Sequence, residues 1–361
     1  MVTTATEYGC HTFIRKSTLK AGEMSSAFQD MSRLMSESKL TVTDVKTKRQ
    51  LTYRDLDREP KSEVDIYSPS DDEWEKYSRI QKTVYNRNTG GWENIKVRNF
   101  NNVRLRGVAV RKLIFGEGRE RAVRRVREIG KEGTFIGPEL VGKESLYVED
   151  ESGSISFHKT FCKVQQLAQK MAERFNRRLL ALPGVDRKNT LIINFLDCHV
   201  MVLPSDDSPT KFLHVEKMLD HTKYKKWNTN AGMVDKSSSS FEVERFSTSP
   251  DCPFTIDEIP QAFSHFTYIN SGRKFLICDL QGVLNTKSNP PVFEMTDPAI
   301  HYRKMTSRRD FGRTDRGQEG IDHFLRTYKS YEFSKLLSRQ FIKDPFKRES
   351  IESEDTEDIL F

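Results

Sequence analysis

Residues 157–175 constrain the fold of this chain more than any other stretch. Phe161, Val164, Leu167, Ala168, Met171 and Phe175 fall on one helical face, while Lys163, Lys170 and Arg174 fall elsewhere. A helix with one apolar stripe must bury it against a second layer, and the flanking sequence supplies strands for that layer. Residues 103–115 interleave β-branched and aromatic side chains with arginines and run into Phe115-Gly116-Glu117-Gly118, a strand ending in a glycine turn. Two readings stay open for Arg121–Ile129: Ala122, Val123 and Val126 fit a helix, and a second strand would close a hairpin over the glycines. Leu191–Leu196, Val200–Leu203 and Phe212–Val215 read as short strands, the last two joined as a hairpin across Pro204–Pro209. Thr267–Ile269 and Lys274–Cys278 read as another hairpin around Asn270-Ser271-Gly272, and Phe311–Gly320 as a glycine-punctuated loop entering a helix over 321–338. Mixed strands and helices predict an α+β protein with two lobes.

The two ends read differently. Residues 1–75 are rich in Ser, Thr, Lys, Asp and Glu, and their apolar islands are short; Phe28, Met31, Leu34 and Met35 would make one short amphipathic helix. Such a segment cannot bury enough apolar area to offset its ordering entropy and is expected to be disordered, as is the acidic tail over 344–361. The folded part is therefore expected over 76–343. Lys and Arg outnumber Asp and Glu by 59 to 52, with nine basic residues between Arg104 and Arg127. That excess permits phosphate partners without requiring nucleic acid, and a solvated face is the plainer expectation for the basic run. No apolar run approaches the roughly 18 residues of a membrane helix, and the first 30 residues lack the layout of a secretory signal. Five scattered cysteines without a CxxC pair argue against a disulfide framework. A reducing compartment, hence the cytoplasm, is expected.

The candidate chemistry lies in three places. Asp279 follows an apolar strand, Gln281 lies two residues on, and Asp297 follows in Thr296-Asp297-Pro298. Two acids and an amide oxygen form the oxygen-rich set a hard cation such as Mg²⁺ prefers, with one acid left as a base toward a hydroxyl. Gly116 and Gly118 can bring backbone N–H groups to a phosphate because no Cβ blocks approach. Arg119 and Arg121 behind them would add charge-assisted donors, and Lys143 on the Leu140-Val141-Gly142 stretch could reach the same site. This is no Walker A loop, which needs GxxxxGK[ST]. Nor does the chain contain HRD followed by DFG, as a conventional protein kinase would.

In order along the chain, three blocks resemble the alpha-kinase family: Phe263-Ser264-His265-Phe266-Thr267-Tyr268 within 260–268, Cys278-Asp279-Leu280-Gln281-Gly282-Val283, and Thr296-Asp297-Pro298-Ala299-Ile300-His301. Residues 85–92, the Phe115 glycine loop and Phe212–Glu216 match more loosely, so the resemblance covers about 84–338. It implies a two-lobed atypical Ser/Thr protein kinase, with the N-lobe over about 84–216, the C-lobe over about 217–343, and ATP and Mg²⁺ in the cleft between them. It implies Asp279 as the catalytic base, Gln281 and Asp297 as metal ligands, and Lys143 and Arg121 as phosphate contacts. Glu216, with Met218 or Leu219, matches an adenine-binding hinge, and Asn230 falls in an asparagine-rich stretch typical of the family. The implied partners are ATP and a protein substrate, with no membrane or nucleic acid.

The departures carry their own expectations. The family completes a structural zinc site with the histidine of FSHF and later cysteines; here His265 is present, but the later positions are Tyr328, Ser330 and Ser334. A lone His cannot hold structural zinc, so none is expected, and packing of Phe324, Leu325, Tyr328 and Leu336 would hold the lobe instead. An insertion at Lys287–Pro291 would make Asp297 loop back to the metal. Arg313 and Arg316, in place of the family's uncharged glycine loop, suggest an acidic or phosphorylated target. Two other readings remain: a pseudokinase serving as a nucleotide-binding scaffold, and a nucleic-acid binder using the arginines of 104–127, whose binding would collapse with salt.

Overall fold

A computed structural model of the chain describes residues 41–44, 49–58, 73–99, 102–182, 185, 187–188, 190–234, 256–304 and 310–328. The expected helix at Phe28–Met35, the acidic tail, Ser330, Ser334 and Leu336 lie outside the described residues. Part of the segment expected to be disordered carries structure: β1 (Thr41–Asp44) and β2 (Arg49–Thr52) pair antiparallel, and Leu56 is buried against Ile114, Ala122 and Leu146.

The N-lobe is one antiparallel sheet. Its strands are β3 (Trp74–Tyr77), β4 (Gln81–Asn86), β5 (Gly91–Ile95), β6 (Gly107–Glu117), β7 (Arg121–Ile129), β8 (Phe135–Ser145), β10 (Cys198–Leu203) and β11 (Lys211–Lys217), in the order β3-β6-β7-β8-β11-β10-β4-β5. The open choice for 121–129 resolves as a strand. Its period of two is hidden in the sequence because two of its inward positions are charged: Arg124 pairs with Glu144, and Glu128 with Lys82 of β4 at 3.0 Å. Three strands separate β4 from β7, so an ion pair between them requires a strongly curled sheet. Inside the curl pack Tyr77, Val108, Val110, Val126, Leu140, Met201, Leu203, Leu213 and Val215.

The outer face is covered by α1 (Glu151–Leu179), which starts earlier than the apolar stripe because the Asp150 side chain accepts the Gly153 N–H as an N-cap. Its buried face includes Val164, Leu167, Ala168, Met171 and Phe175, as expected, and packs on β9 (Ile192–Phe195) and the C-lobe. That lobe holds β12 (Lys225–Lys226), α2 (Glu258–Asn270), β13 (Phe275–Cys278), β14 (Gln281–Asn285), β15 (Val292–Thr296), β16 (Ala299–Tyr302) and α3 (Gly317–Thr327). Thr267–Ile269 are not a strand: Ile259, Phe263 and Phe266 recur at helical spacing and are buried, extending α2 through them. The Thr267 hydroxyl donates to Ser264 O and accepts the Ile277 N–H, tying α2 to β13.

The partner of β13 is β16, and the partner of β14 is β15. The two chain segments therefore run antiparallel side by side over 275–302, with both ladders interrupted at the same level. Cys278 pairs with Ala299 and Gln281 with Thr296; between them lie Asp279-Leu280 on one segment and Asp297-Pro298 on the other. Lys287–Pro291 lies in the β14–β15 hairpin loop, so the insertion leaves Asp297 beside Gln281 rather than displacing it. On the other side of the lobe, Ile321 and Phe324 of α3 pack on Leu276, Cys278 and Ala299, joined by the partly buried Leu325 and Tyr328.

Candidate active site

The N-lobe half of the site is one face of the sheet. Gly116 pairs with Val123, Val123 with Lys143, and Lys143 with His214, so these four residues form a row across four strands. Directly opposed residues share a face, and alternation adds Arg121 and Glu216 to it. At about 4.8 Å per strand, Gly116 lies roughly 10 Å from Lys143 along this row. Lys143 is 5% exposed; its ammonium pairs with Glu216, donates to Thr296 Oγ1 at 3.0 Å and lies 2.8 Å from Asp297 Oδ1. Arg121 reaches the same carboxylate oxygen at 2.9 Å, its guanidinium stacked 3.7 Å above the Phe161 ring of α1. Arg121 also donates to His214 Nδ1 at 3.3 Å. Burial, together with the charges of Lys143 and Arg121, pushes the His214 imidazolium well below its usual range, so this ring is a neutral acceptor.

The C-lobe half is the doubled crossing. Asp279 and Asp297 both adopt positive φ, 60° and 52°, a conformation costly for side-chain-bearing residues and concentrated at functional sites. Gln281 ties the two turns together: its Nε2 donates to Asp279 Oδ2 at 3.3 Å and to the Asp297 carbonyl at 3.2 Å. The acids differ electrostatically. Burial raises the Asp279 carboxyl against the opposing pull of Lys226, whose ammonium lies 2.7 Å from Oδ1. Burial would raise Asp297 too, but Arg121 and Lys143 hold it well below the usual carboxylate range.

Most of the expected residues converge here, though not all in the expected parts. Lys143, Arg121, Glu216, Asp279, Gln281 and Asp297 form one connected group. The Glu216 side chain does not face an open hinge; it is 2% exposed and accepts from Lys143, Gln165 Nε2 (2.8 Å) and the Thr296 hydroxyl (2.6 Å). Leu219 is half-buried just beyond β11. Asn230 lies behind the Asp279 crossing: its Oδ1 is 3.6 Å from the Cys278 thiol, and its carbonyl accepts from His301 Nε2 at 2.8 Å. Gly116 and Gly118 stand at the β6–β7 turn, where the Gly118 N–H donates to Arg121 O at 2.8 Å. Arg313 pairs with Glu149 at 3.0 Å across the lobe junction, and Arg316 pairs with Glu319.

Sequence reasoning missed several positioning residues. Asn228, fully buried, accepts the Leu280 N–H at 3.0 Å and donates to Gln261 and Ser264, pinning the Asp279 crossing to α2. Its signal stood in the asparagine-rich stretch that pointed to Asn230. Gln165 accepts the Asp297 N–H at 3.1 Å while donating to Glu216. Lys226 sits opposite Gln281 in the β12–β14 ladder. No motif flagged Gln165 or Lys226, because only the tertiary fold brings them to the acids. His265 stacks on Tyr328, with ring centroids 4.6 Å apart and 8° between planes.

The donor set fits a magnesium nucleotide. Asp297 is an ionised acid beside an amide side chain, the oxygen donors Mg²⁺ takes, and two cations suited to phosphate already converge on it. His214, Glu216 and Asp297 also approach one another closely enough to suggest a metal cluster. There, however, the Lys143 ammonium already supplies the cation, paired with both carboxylates.

The profile of the alpha-kinase family matches residues 116–334, more than half of the chain. The chain belongs to the alpha-kinase family, whose members are protein kinases. It is 28% identical over 201 residues to alpha-protein kinase vwkA of Dictyostelium discoideum, an alignment covering 56% of this chain and 27% of that protein. It is 30% identical over 190 residues to myosin heavy chain kinase C of the same organism, covering 53% and 19%. With the eukaryotic elongation factor 2 kinase of Rattus norvegicus it shares 27% over 179 residues, covering 50% and 19%. The chain thus aligns with about a quarter or less of each of these relatives. Its fold is that of the crystal structure of the apoenzyme alpha-kinase domain of myosin-II heavy chain kinase A, with a TM-score of 0.50 and 21% identity over 75% of this chain and 98% of that one. The expected two-lobed α+β kinase fold holds. Among the described residues no helix is long and apolar enough to cross a membrane.

Proposed function

We propose that this chain is an active Ser/Thr protein kinase that transfers the γ-phosphoryl group of ATP, with Mg²⁺, to a protein hydroxyl. The observation that carries this reading is the convergence of Lys143 and Arg121 on Asp297 at the lobe junction, 2.8 and 2.9 Å away. Phosphoryl transfer needs positioning and charge neutralisation more than covalent chemistry, and this group offers both. Bound Mg²⁺ would neutralise charge on the phosphate oxygens; Asp297 and the Gln281 amide oxygen would hold it. Lys143, kept in place by Glu216 and Thr296, and Arg121, kept in place by His214 and Phe161, would grip the phosphates. Asp279 would orient the substrate hydroxyl and receive its proton, its raised pKa suiting a base better than the depressed one of Asp297. Gly116 and Gly118, lacking a Cβ, would let a phosphate approach the turn closely, and 216–219 would border the adenine.

The reading involves no structural zinc, because the residue packed on His265 is Tyr328, which supplies no thiolate, and a lone His cannot hold structural zinc. It involves no nucleic acid either. Within the basic run, Arg111 pairs with Glu73, Arg124 with Glu144 and Arg125 with Glu139, and Arg127 lies over the Phe135 ring. A cytoplasmic location goes with this reading. The test is ATP- and Mg²⁺-dependent ³²P transfer to a generic basic protein and to the chain itself, followed by phosphoamino-acid and metal analysis. Phosphoserine or phosphothreonine without zinc is expected. No transfer with nucleotide still bound would replace the enzyme by a nucleotide-binding scaffold, and about one zinc per chain would overturn the zinc-free reading.

A further inference from the structure

The end of β6 that leads into the glycine turn keeps its β7 partners but has no β3 partner on its other edge. β3 pairs with β6 only between Val108 and Arg111, and the β6–β7 ladder shifts register between Val110 and Ile114 and again before Gly116. Residues 52–58 fill the gap. The Ile114 N–H donates to Asp57 O at 2.9 Å, and Arg58 bridges in parallel to Ile114. At its other end the same segment pairs with the chain that follows β8: the Arg54 N–H donates to Leu146 O and the Val148 N–H to Thr52 O, both at 2.8 Å. Leu56 anchors the middle of the segment against Ile114, Ala122 and Leu146.

Two side chains of this segment, Arg58 and Tyr53, reach the turn. The Arg58 guanidinium lies 2.9 Å from the carboxylate of Glu117, the residue between the two glycines, and the Tyr53 hydroxyl donates to the same oxygen at 3.4 Å. Arg54 reaches Glu144 at 2.9 Å, beside Lys143 in β8. Tyr53 also packs edge-on against Tyr147, with centroids 6.0 Å apart. Tyr147 in turn lies 5.4 Å from the guanidinium of Arg313, within the Phe311–Gly317 loop of the C-lobe. One short segment thus contacts the turn that would face the phosphates and, through one ring, the loop on the opposite lobe.

We propose that residues 52–58 are an intrachain strap that orders the Gly116–Gly118 turn for nucleotide binding. Glycines 116 and 118 leave the turn free of side-chain restraint, so ordering it on binding would cost affinity unless something ordered it beforehand. The Arg58–Glu117 pair does so from outside the cleft. Both side chains are about one-third exposed, so the pair can be broken or reversed without opening the core. The kinetic part of this proposal rests on the kinase reading; the structural part does not.

The test uses the full chain carrying Arg58→Glu, Glu117→Arg, or both. Each single reversal is expected to raise the KM for ATP about fivefold or more, with kcat changed much less, and to speed hydrogen exchange of amides 114–118. The double reversal restores the pair and is expected to recover both. Unchanged exchange in both single variants overturns the strap, as does a double variant no better than the singles. A wild type without phosphoryl transfer would sink the kinase reading, while exchange still decides the strap.

Discussion

Asp279 and Asp297 occupy equivalent places: each is the first residue of a two-residue crossing between adjacent ladders, and each has positive φ. Their surroundings nevertheless push their carboxyls in opposite directions. Asp297 faces the N-lobe and meets two cations from one sheet face. Among the described residues, Asp279 pairs with one cation, Lys226 of the two-residue strand β12, whose side chain is partly exposed. Backbone symmetry delivers a pair of acids to the cleft, and the lobe each one faces decides whether it suits an ion ligand or a base. A comparable separation of two titratable groups by environment is the general route to distinct acid and base roles at one pH.

The largest effect should come from breaking the crossing itself. Gly282 has a φ of 151°, and a Cβ there would drive into the Glu294 carbonyl of the neighbouring strand. Gly282→Ala is expected to cost about 3 kcal/mol or more, seen as a lower denaturant midpoint with activity lost in proportion to folded protein. Near wild-type stability would mean the two segments are not held as tightly as the ladder implies.

The next contrast concerns stability against pH. The depressed folded-state pKa of Asp297 means its stabilisation is full above the unfolded value near 3.9 and is lost as pH falls through the folded one. Asp297→Asn leaves Arg121 and Lys143 without their shared carboxylate, at a cost of about 3 kcal/mol near neutrality, and should flatten the acid loss. Asp279 has the opposite sign, since folding disfavours its charged form; Asp279→Asn should be neutral or mildly stabilising at pH 7. Equal destabilisation by both variants would erase the distinction. A smaller effect should follow Lys226→Ala, which removes the charge that pulls Asp279 down. The acid limb of the pH–rate profile should then move to higher pH; movement to lower pH would rule out Asp279 as the base.

Much of this was legible in the sequence, for identifiable reasons. The α1 stripe, the Val200–Val215 hairpin and the motif acids were readable because helical period, turn chemistry and local spacing are short-range signals. The strand at 121–129 was hidden because its inward positions include Arg124 and Glu128, whose partners lie on other strands. Thr267–Ile269 look like strand residues locally, but the apolar spacing of the whole segment makes them helix. The part played by Glu216 could not be read, because only the register of β8 against β11 places Lys143 beside it. For the same reason residues 49–58, polar in composition, gave no hint that they complete the end of the sheet.

The most direct test of the division between the two acids is to measure Mg²⁺-dependent nucleotide binding and phosphoryl transfer on the same preparations of wild type, Asp279→Asn and Asp297→Asn. Asp279→Asn is expected to keep Mg²⁺-dependent binding and lose transfer by several orders of magnitude, while Asp297→Asn loses the Mg²⁺ dependence of binding as well. The reverse pattern, with binding lost in Asp279→Asn and kept in Asp297→Asn, would contradict the assignment.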